Sequence, residues 1–381
     1  MSTVTAEDRW SGKSMVAGRP TRRPARFVAL GVLAMLMVLL GIVMVLSAAS
    51  VQDLRVHDNA WHHQRRQLIW VAVGLVGLVT TTRLDYRRLR PAAIWLLVVS
   101  LILLAAVFVP GIGIRANGSS RWIRAGAASF QPSELAKLAV ILYGSVLLSS
   151  HPVNDLRRTV LPLAAVLGVV GALVYAEPDL GTALILGAIA ASLLFFAGLR
   201  WAIMGATAAV GVATMGALTM TASYRRERFL SVFDPWSDPL NTGWQAIQAG
   251  VAMSNGGLWG LGLGASRAKW GFLPYAQTDF IFAIVAEELG FVAVVGMILV
   301  YLLIGLFGLN TALRAPDRFG QLLAAGITTW IMIQTFVNIG AVLGVLPITG
   351  VPLPFVSYGG SSMVLTLTAY GVLLNVARQT P

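Results

Sequence analysis

The residues of this 381-residue chain that could do chemistry are ionisable groups set at the edges of long apolar runs. Glu134 and Lys137 are spaced i, i+3 where one run begins. Glu177 and Asp179 flank Pro178 between two others. Asp279, Glu287 and Glu288 stand where a long polar stretch gives way to a third. Charge is costly in such places, so each group is a functional hypothesis. Asp279, in Gln277-Thr278-Asp279-Phe280-Ile281-Phe282, comes first. A carboxyl half withdrawn from water is raised toward the range useful to a general base; the competing reading is a cap on a helix start. Glu287 and Glu288 read as a brace between helices, or as partners of a buried Lys or Arg. Glu134 and Lys137 can pair on one helix face, or Lys137 can hold a phosphate as a point charge.

The stretch Arg115 to Arg124 carries three arginines, Arg115, Arg121 and Arg124, with Trp122 among them. Arginine with flexible backbone suits a pyrophosphate; snorkelling at lipid headgroups is the alternative. The run Val351 to Ser362 has two prolines and a Gly pair. Irregular backbone at a span's end is tolerated inside protein or beside a water-filled cavity, so this run, with Ser357 and Ser362, is a candidate cavity lining. The glycines of 256–264 follow no strand and lack a phosphate-loop lysine; they let the backbone bend and approach closely. The four histidines, His57, His62, His63 and His151, fall between runs and read as solvated.

What must position these groups is membrane-embedded helix. The chain is 57% hydrophobic and 12% charged, about half the charge of a soluble domain. Apolar runs at 27–49, 68–82, 92–110, 134–150, 159–176, 180–198, 202–221, 281–309, 320–344 and 355–376 are long enough to cross a bilayer as helices, the shortest with help from flanking residues. They are continuous, not alternating as barrel strands would be. The expected fold class is therefore all-α and polytopic, with about ten spans. The net charge of +12 fits cytoplasmic loops facing anionic lipid, not nucleic acid. Arg83, Arg87, Arg88 and Arg90 are the firmest cytoplasmic marker, which puts both termini inside. The first 26 residues read as a basic disordered tail, and 27–379 as a single transmembrane domain with a long outer loop at 222–280. A cleaved signal peptide is disfavoured because the first run exceeds a signal core. Near-helical spacing of Trp244, Ile247, Val251 and Leu258 marks a short interfacial helix within that loop. Cysteine is absent, so no disulfide or thiolate site exists.

Five runs in this order resemble the SEDS family of bacteria (shape, elongation, division and sporulation): Arg121-Trp122-Ile123, Phe130 to Lys137, Glu177-Pro178-Asp179-Leu180-Gly181-Thr182, Thr278 to Phe282 with Glu287-Glu288-Leu289-Gly290, and Pro354 to Ser362. The likeness spans nearly the whole chain. It implies a ten-helix glycosyltransferase of the bacterial cytoplasmic membrane that polymerises lipid II, a polyprenyl-pyrophosphate-linked precursor, at the outer leaflet. It puts the required acid on Asp279, and positions important to the family on Trp122 and Lys137. With Arg121, Arg124, Glu134, Ser357 and Ser362, these two make up the candidate substrate contacts. The family commonly has His where Gln277 stands and Gly where Ala286 stands, so no histidine relay beside Asp279 is available. Positive charge for the departing pyrophosphate would come from Arg121, Arg124, Lys137 or a divalent cation, Mg or Mn, with no metal ligand assigned in the protein. The resemblance leans toward the division type, FtsW, over the elongation type, RodA. It implies a class B penicillin-binding transpeptidase and other divisome proteins as partners, at the septum. A lipid II flippase and a non-catalytic scaffold are the rival readings; the flippase would use the same groove and charges.

Overall fold

In lipid every backbone polar group must be satisfied within the protein, so each apolar run folds as helix. The computed structural model describes residues 25–116, 119–125, 128–221 and 223–380; most of the expected N-terminal tail lies outside them. All ten expected spans are helices: α1 (Ala25–His57), α2 (His62–Arg83), α3 (Ala92–Ala106), α4 (Pro132–Ser150), α5 (Leu161–Ala176), α6 (Leu180–Phe196), α7 (Trp201–Thr221), α10 (Ile281–Leu313), α11 (Arg318–Val342) and α12 (Gly360–Gln379). The chain is a multi-pass membrane protein. The long connection between α7 and α10 holds α8 (Ser223–Leu230) and α9 (Trp244–Gly256). The spacing that begins at Trp244 thus forms its helix, though Leu258 falls past its end.

Helices α11 and α12 are the most enclosed, and α5 shows most of its surface outward. α11 packs on α10, α6 and α4, while α12 lies along α2. That last contact needs glycine: a side chain at Gly371 would collide with the Leu78 backbone. Small residues let membrane helices approach this closely. The last span begins at Gly360, not at 355. Residues 351–359 are irregular because Pro352 and Pro354 withhold backbone donors and fix φ.

Three departures from the sequence reading shape the outer face. First, the stretch that carries Arg115, Arg121 and Arg124 belongs to an antiparallel sheet, β1 (Gly113–Ala116), β2 (Ser119–Ala125) and β3 (Ala128–Phe130), in the order β1-β2-β3. Backbone groups near lipid that cannot join a helix pair with each other instead.

Second, α10 breaks at Gly290 (φ 78°, ψ −178°). This backbone geometry is open to glycine and very costly for other residues. The groups freed by the break are met by the Gly-rich stretch. Leu261 N and Gly262 N donate to the Glu287 and Glu288 carbonyls, and Phe291 N and Val292 N donate to the Gly257 and Leu258 carbonyls. The close backbone approach expected of 256–264 is therefore made here.

Third, the histidines are not simply solvated. His57 ends α1, and His62 and His63 begin α2. His63 hydrogen-bonds through its ring and its N–H to the fully buried Asp53, and its ring meets Tyr358 edge-on. A buried carboxylate needs such partners, and the i, i+4 spacing of Asp53 and His57 was the available hint.

Candidate active site

Asp279 lies just before α10 and is half-buried. It does not cap the helix: Phe280 is the N-cap residue, and no side chain caps there. Instead the backbone on either side of Asp279 is pinned. The Gln277 carbonyl accepts from Tyr358 N at 2.9 Å. The Thr278 carbonyl accepts from Ser357 Oγ at 2.5 Å. The Asp279 carbonyl accepts from Asn338 Nδ2 at 2.8 Å, and that amide also donates to Val351 O at 2.8 Å. Three successive carbonyls are thus fixed from α11 and the 351–358 segment. The carboxylate itself accepts no hydrogen bond among the described residues. A rigid backbone with an uncommitted functional group is preorganised for chemistry.

Arg121 on β2 faces it. Arg121 Nε donates to Glu177 O at 3.0 Å, and Nη2 donates to Pro178 O. Gly350 lies between the two side chains. A Cβ there would be 3.7 Å from Asp279 Oδ2 and 3.8 Å from Arg121 Nη1. Burial raises the Asp279 pKa to about 6, while Arg121 and Arg228 pull it down and Asp179 pushes it up. Behind Arg121, Glu177 is fully buried, and its carboxyl oxygens have no partner among the described residues. Burial, then Asp179, raises its pKa to about 8 against the pull of Arg121. Asp179 is engaged as the cap of α6 through Thr182 N and Oγ1.

The other sequence candidates fall elsewhere. Arg121 sits at an irregularity in the β1–β2 pairing, where Ile114 pairs with Trp122 and Arg115 with Ser120; Trp122 is half-buried and Arg124 is exposed. Glu134 and Lys137 are buried and paired at 2.8 Å. Lys137 Nζ also donates to Gln334 Oε1 at 2.8 Å and lies 4.8 Å from the Trp330 ring centre. Gln334 in turn donates to Pro352 O, so the pair braces α4, α11 and the segment that carries Gly350. Ser357 is buried, bonded to the Thr278 carbonyl and to Leu353 N. Ser362 is buried in the first turn of α12. Glu287 and Glu288 are the brace expected of them, tied to residues 266–269 and to Ser47. Sequence reading missed Asn338, though an amide inside an apolar run is itself a functional signal. It also missed Gly350 and Arg228. Among the described residues no three His, Asp or Glu side chains converge on a point that could hold a metal.

The family described as "Cell cycle protein", FtsW/RodA/SpoVE, matches residues 28–381. This chain belongs to that family. Other FtsW/RodA/SpoVE relatives agree. A "Probable peptidoglycan glycosyltransferase FtsW" of Geobacter metallireducens is 42% identical over 339 residues, 88% of this chain and 90% of that one. "Stage V sporulation protein E" of Bacillus subtilis is 39% identical over 360 residues, 94% and 98% of the two chains. Among solved structures, a chain described under "Structural coordination of polymerization and crosslinking by a peptidoglycan synthase complex" superposes with TM-score 0.75 at 33% identity, covering 92% of this chain and 96% of its own. Rod shape determining protein RodA of Thermus thermophilus gives 0.68 at 30%, covering 92% and 96%.

Proposed function

We propose that this FtsW/RodA/SpoVE chain is a peptidoglycan glycosyltransferase that joins lipid II units into glycan strands at the outer face of the cytoplasmic membrane, with both termini inside. One observation carries the reading: a carboxylate that accepts no hydrogen bond among the described residues, on a pinned backbone, faces an anchored guanidinium. The acceptor sugar hydroxyl attacks the donor's anomeric carbon, and its proton passes to Asp279. The bond from that carbon to the diphosphate oxygen breaks, and Arg121, with Arg228 nearby, balances the charge on the departing diphosphate. A pKa near 6 leaves Asp279 ionised at neutral pH and still basic enough to take the proton. Glu134 and Lys137 act through the segment they brace, and Trp122 and Arg124 meet the lipid-linked substrate at its headgroup. Ser357 holds the acid's backbone, and Ser362, in the first turn of α12, meets the substrate. A Mg or Mn ion entering with the diphosphate is compatible with these charges, and no step depends on it.

The relative in the synthase complex and the FtsW names support a class B penicillin-binding transpeptidase as partner. They support a division role, with other divisome proteins at the septum. The test is gel analysis of glycan made from lipid II by the purified protein with its transpeptidase. Polymer from the parent, and none from Asp279→Asn with lipid II binding retained, is the expected result. Normal polymer from that variant would remove Asp279 from the reaction.

A further inference from the structure

Beside the acid lies a groove of about 840 Å³, walled by α8, α9, the turn between them and the outer end of α11. Its size is at the upper end of the ~300–1,000 Å³ common for small-ligand sites. Ala341, Val342 and Ile348 line both this groove and the small cavity that holds Asp279, so the two spaces share a wall.

The lining is unusual for a surface next to lipid. Arg228, whose charge acts on Asp279, is its one ionisable side chain among the described residues. The rest is aromatic, aliphatic and neutral polar, with Trp236, Asn241, Gln245 and Asn255 prominent. Trp236 is 69% exposed. The Gln245 and Asn255 amides form no hydrogen bond among the described residues. An acyl tail has no use for amides, and an acidic peptide would need more cations than one. Sugar rings need what is present: a flat aromatic face for their C–H surface and neutral groups that both donate and accept for hydroxyls and N-acetyl groups.

We propose that this groove binds the neutral backbone of the growing glycan strand, as an oligosaccharide subsite leading away from Asp279. The proposal rests on the polymerase reading. It gives the product a track: sugars already joined occupy the groove, and the diphosphate-bearing end sits between Arg228 and Arg121. Retention there lets a strand stay bound between additions, so the groove sets product length.

The test uses the full chain in detergent with its transpeptidase, and Trp236→Ala and Asn255→Ala variants. A lipid-free β-1,4-linked N-acetylglucosamine hexamer, titrated calorimetrically, should bind the parent and bind Trp236→Ala about tenfold more weakly, the worth of one good aromatic contact. Product gels should shift to shorter strands in both variants, while Trp201→Ala, an exposed Trp at the start of α7, keeps parental lengths. Hexamer affinity and strand length unchanged in both groove variants would overturn the proposal. So would loss of transpeptidase co-purification with hexamer affinity intact, which would make the groove a protein interface. A parent that binds hexamer but makes no polymer would sink the polymerase reading and leave the sugar site standing.

Discussion

Two sets of carboxylates stand at the start of α10, Asp279 just before the helix and Glu287 and Glu288 inside it, and they have opposite fates. Glu287 and Glu288 are saturated. Glu288 accepts from Ser47 Oγ at 2.6 and 2.8 Å, from Ser266 N at 3.2 Å and from Lys269 Nζ at 3.2 Å. Glu287 accepts from Ser266 Oγ at 2.5 Å and from Arg267 N and Ala268 N at 3.1 and 3.2 Å. Lys269 completes its set with Gly264 O and Ser47 Oγ. Asp279 has the reverse arrangement: its carbonyl is held and its carboxylate is not. Hydrogen bonds that saturate a carboxylate fix structure; leaving one unsaturated, beside a cation and a cavity, costs stability and keeps a group available to react. In the proposed reaction the Glu pair serves the fold and Asp279 the chemistry.

The contrast breaks most directly at Asp279. Asp279→Asn should lower the rate of glycan formation by roughly 10²–10⁴-fold, the usual worth of a general base. It should not lower the melting temperature at pH 8. The folded pKa of Asp279 is raised to about 6, so its ionisation weakens the fold as pH climbs through that value, and Asn is free of that penalty. A variant that lost activity only by unfolding would put Asp279 in the same class as the Glu pair.

Glu288→Ala should do the opposite. It strands the buried Lys269 ammonium, and breaking such a pair costs about 3–5 kcal/mol. A thermal melt in detergent should show a large drop, and a Glu288→Met, Lys269→Met double variant should recover much of it because no charge is left unpaired. If Glu288→Ala melted like the parent yet made no glycan, the line drawn between the two sets would be in the wrong place.

The sequence made the scaffold visible and the contrast only half visible. Ten apolar runs were enough for ten helices, because lipid leaves the backbone no other choice. Asp279 stood out as a carboxylate at a polar–apolar boundary. Its pinning did not, because Asn338, Ser357 and Tyr358 reach it from 59 to 81 residues away, and such bonds leave no local pattern. The sheet was hidden for a related reason: β1, β2 and β3 are three to seven residues long, too short for alternation to emerge among the glycines and arginines. Which arginine is anchored was hidden as well: 115–124 offered Arg121 and Arg124 equally, and the Glu177 and Pro178 carbonyls that hold Arg121 lie 56 and 57 residues away. The Gly290 break was masked because Glu287-Glu288-Leu289-Gly290 sits inside a run whose overall apolarity is that of a continuous span.

Glu177 sharpens the comparison from outside α10. Among the described residues it resembles Asp279 in lacking hydrogen bonds to its carboxyl, but it is sealed from the groove. Its pKa is raised to about 8, chiefly by burial. A raised acid supports the fold fully below its ordinary value near 4.5, and that support drains away as pH rises through about 8. Glu177→Gln should therefore flatten the fall in melting temperature between pH 5 and 8, a difference on the order of a few kcal/mol. A parental slope in the variant would mean that other groups carry the pH dependence.

The smallest and most specific effect concerns the midpoint of the pH–rate profile. With Asp279 as base, the rate of glycan formation should be level above pH 7 and fall about tenfold per unit below pH 6. Arg121 is the leading charge holding that pKa down against burial. Arg121→Gln should move the midpoint upward, so that activity at pH 6 suffers more than activity at pH 8. A simple loss of diphosphate binding would lower both equally and leave the midpoint in place. The two outcomes separate an arginine that only grips the leaving group from one that also sets the protonation of the acid it faces, and Glu287 and Glu288, with their oxygens already bonded, give no second acid for that shift to report.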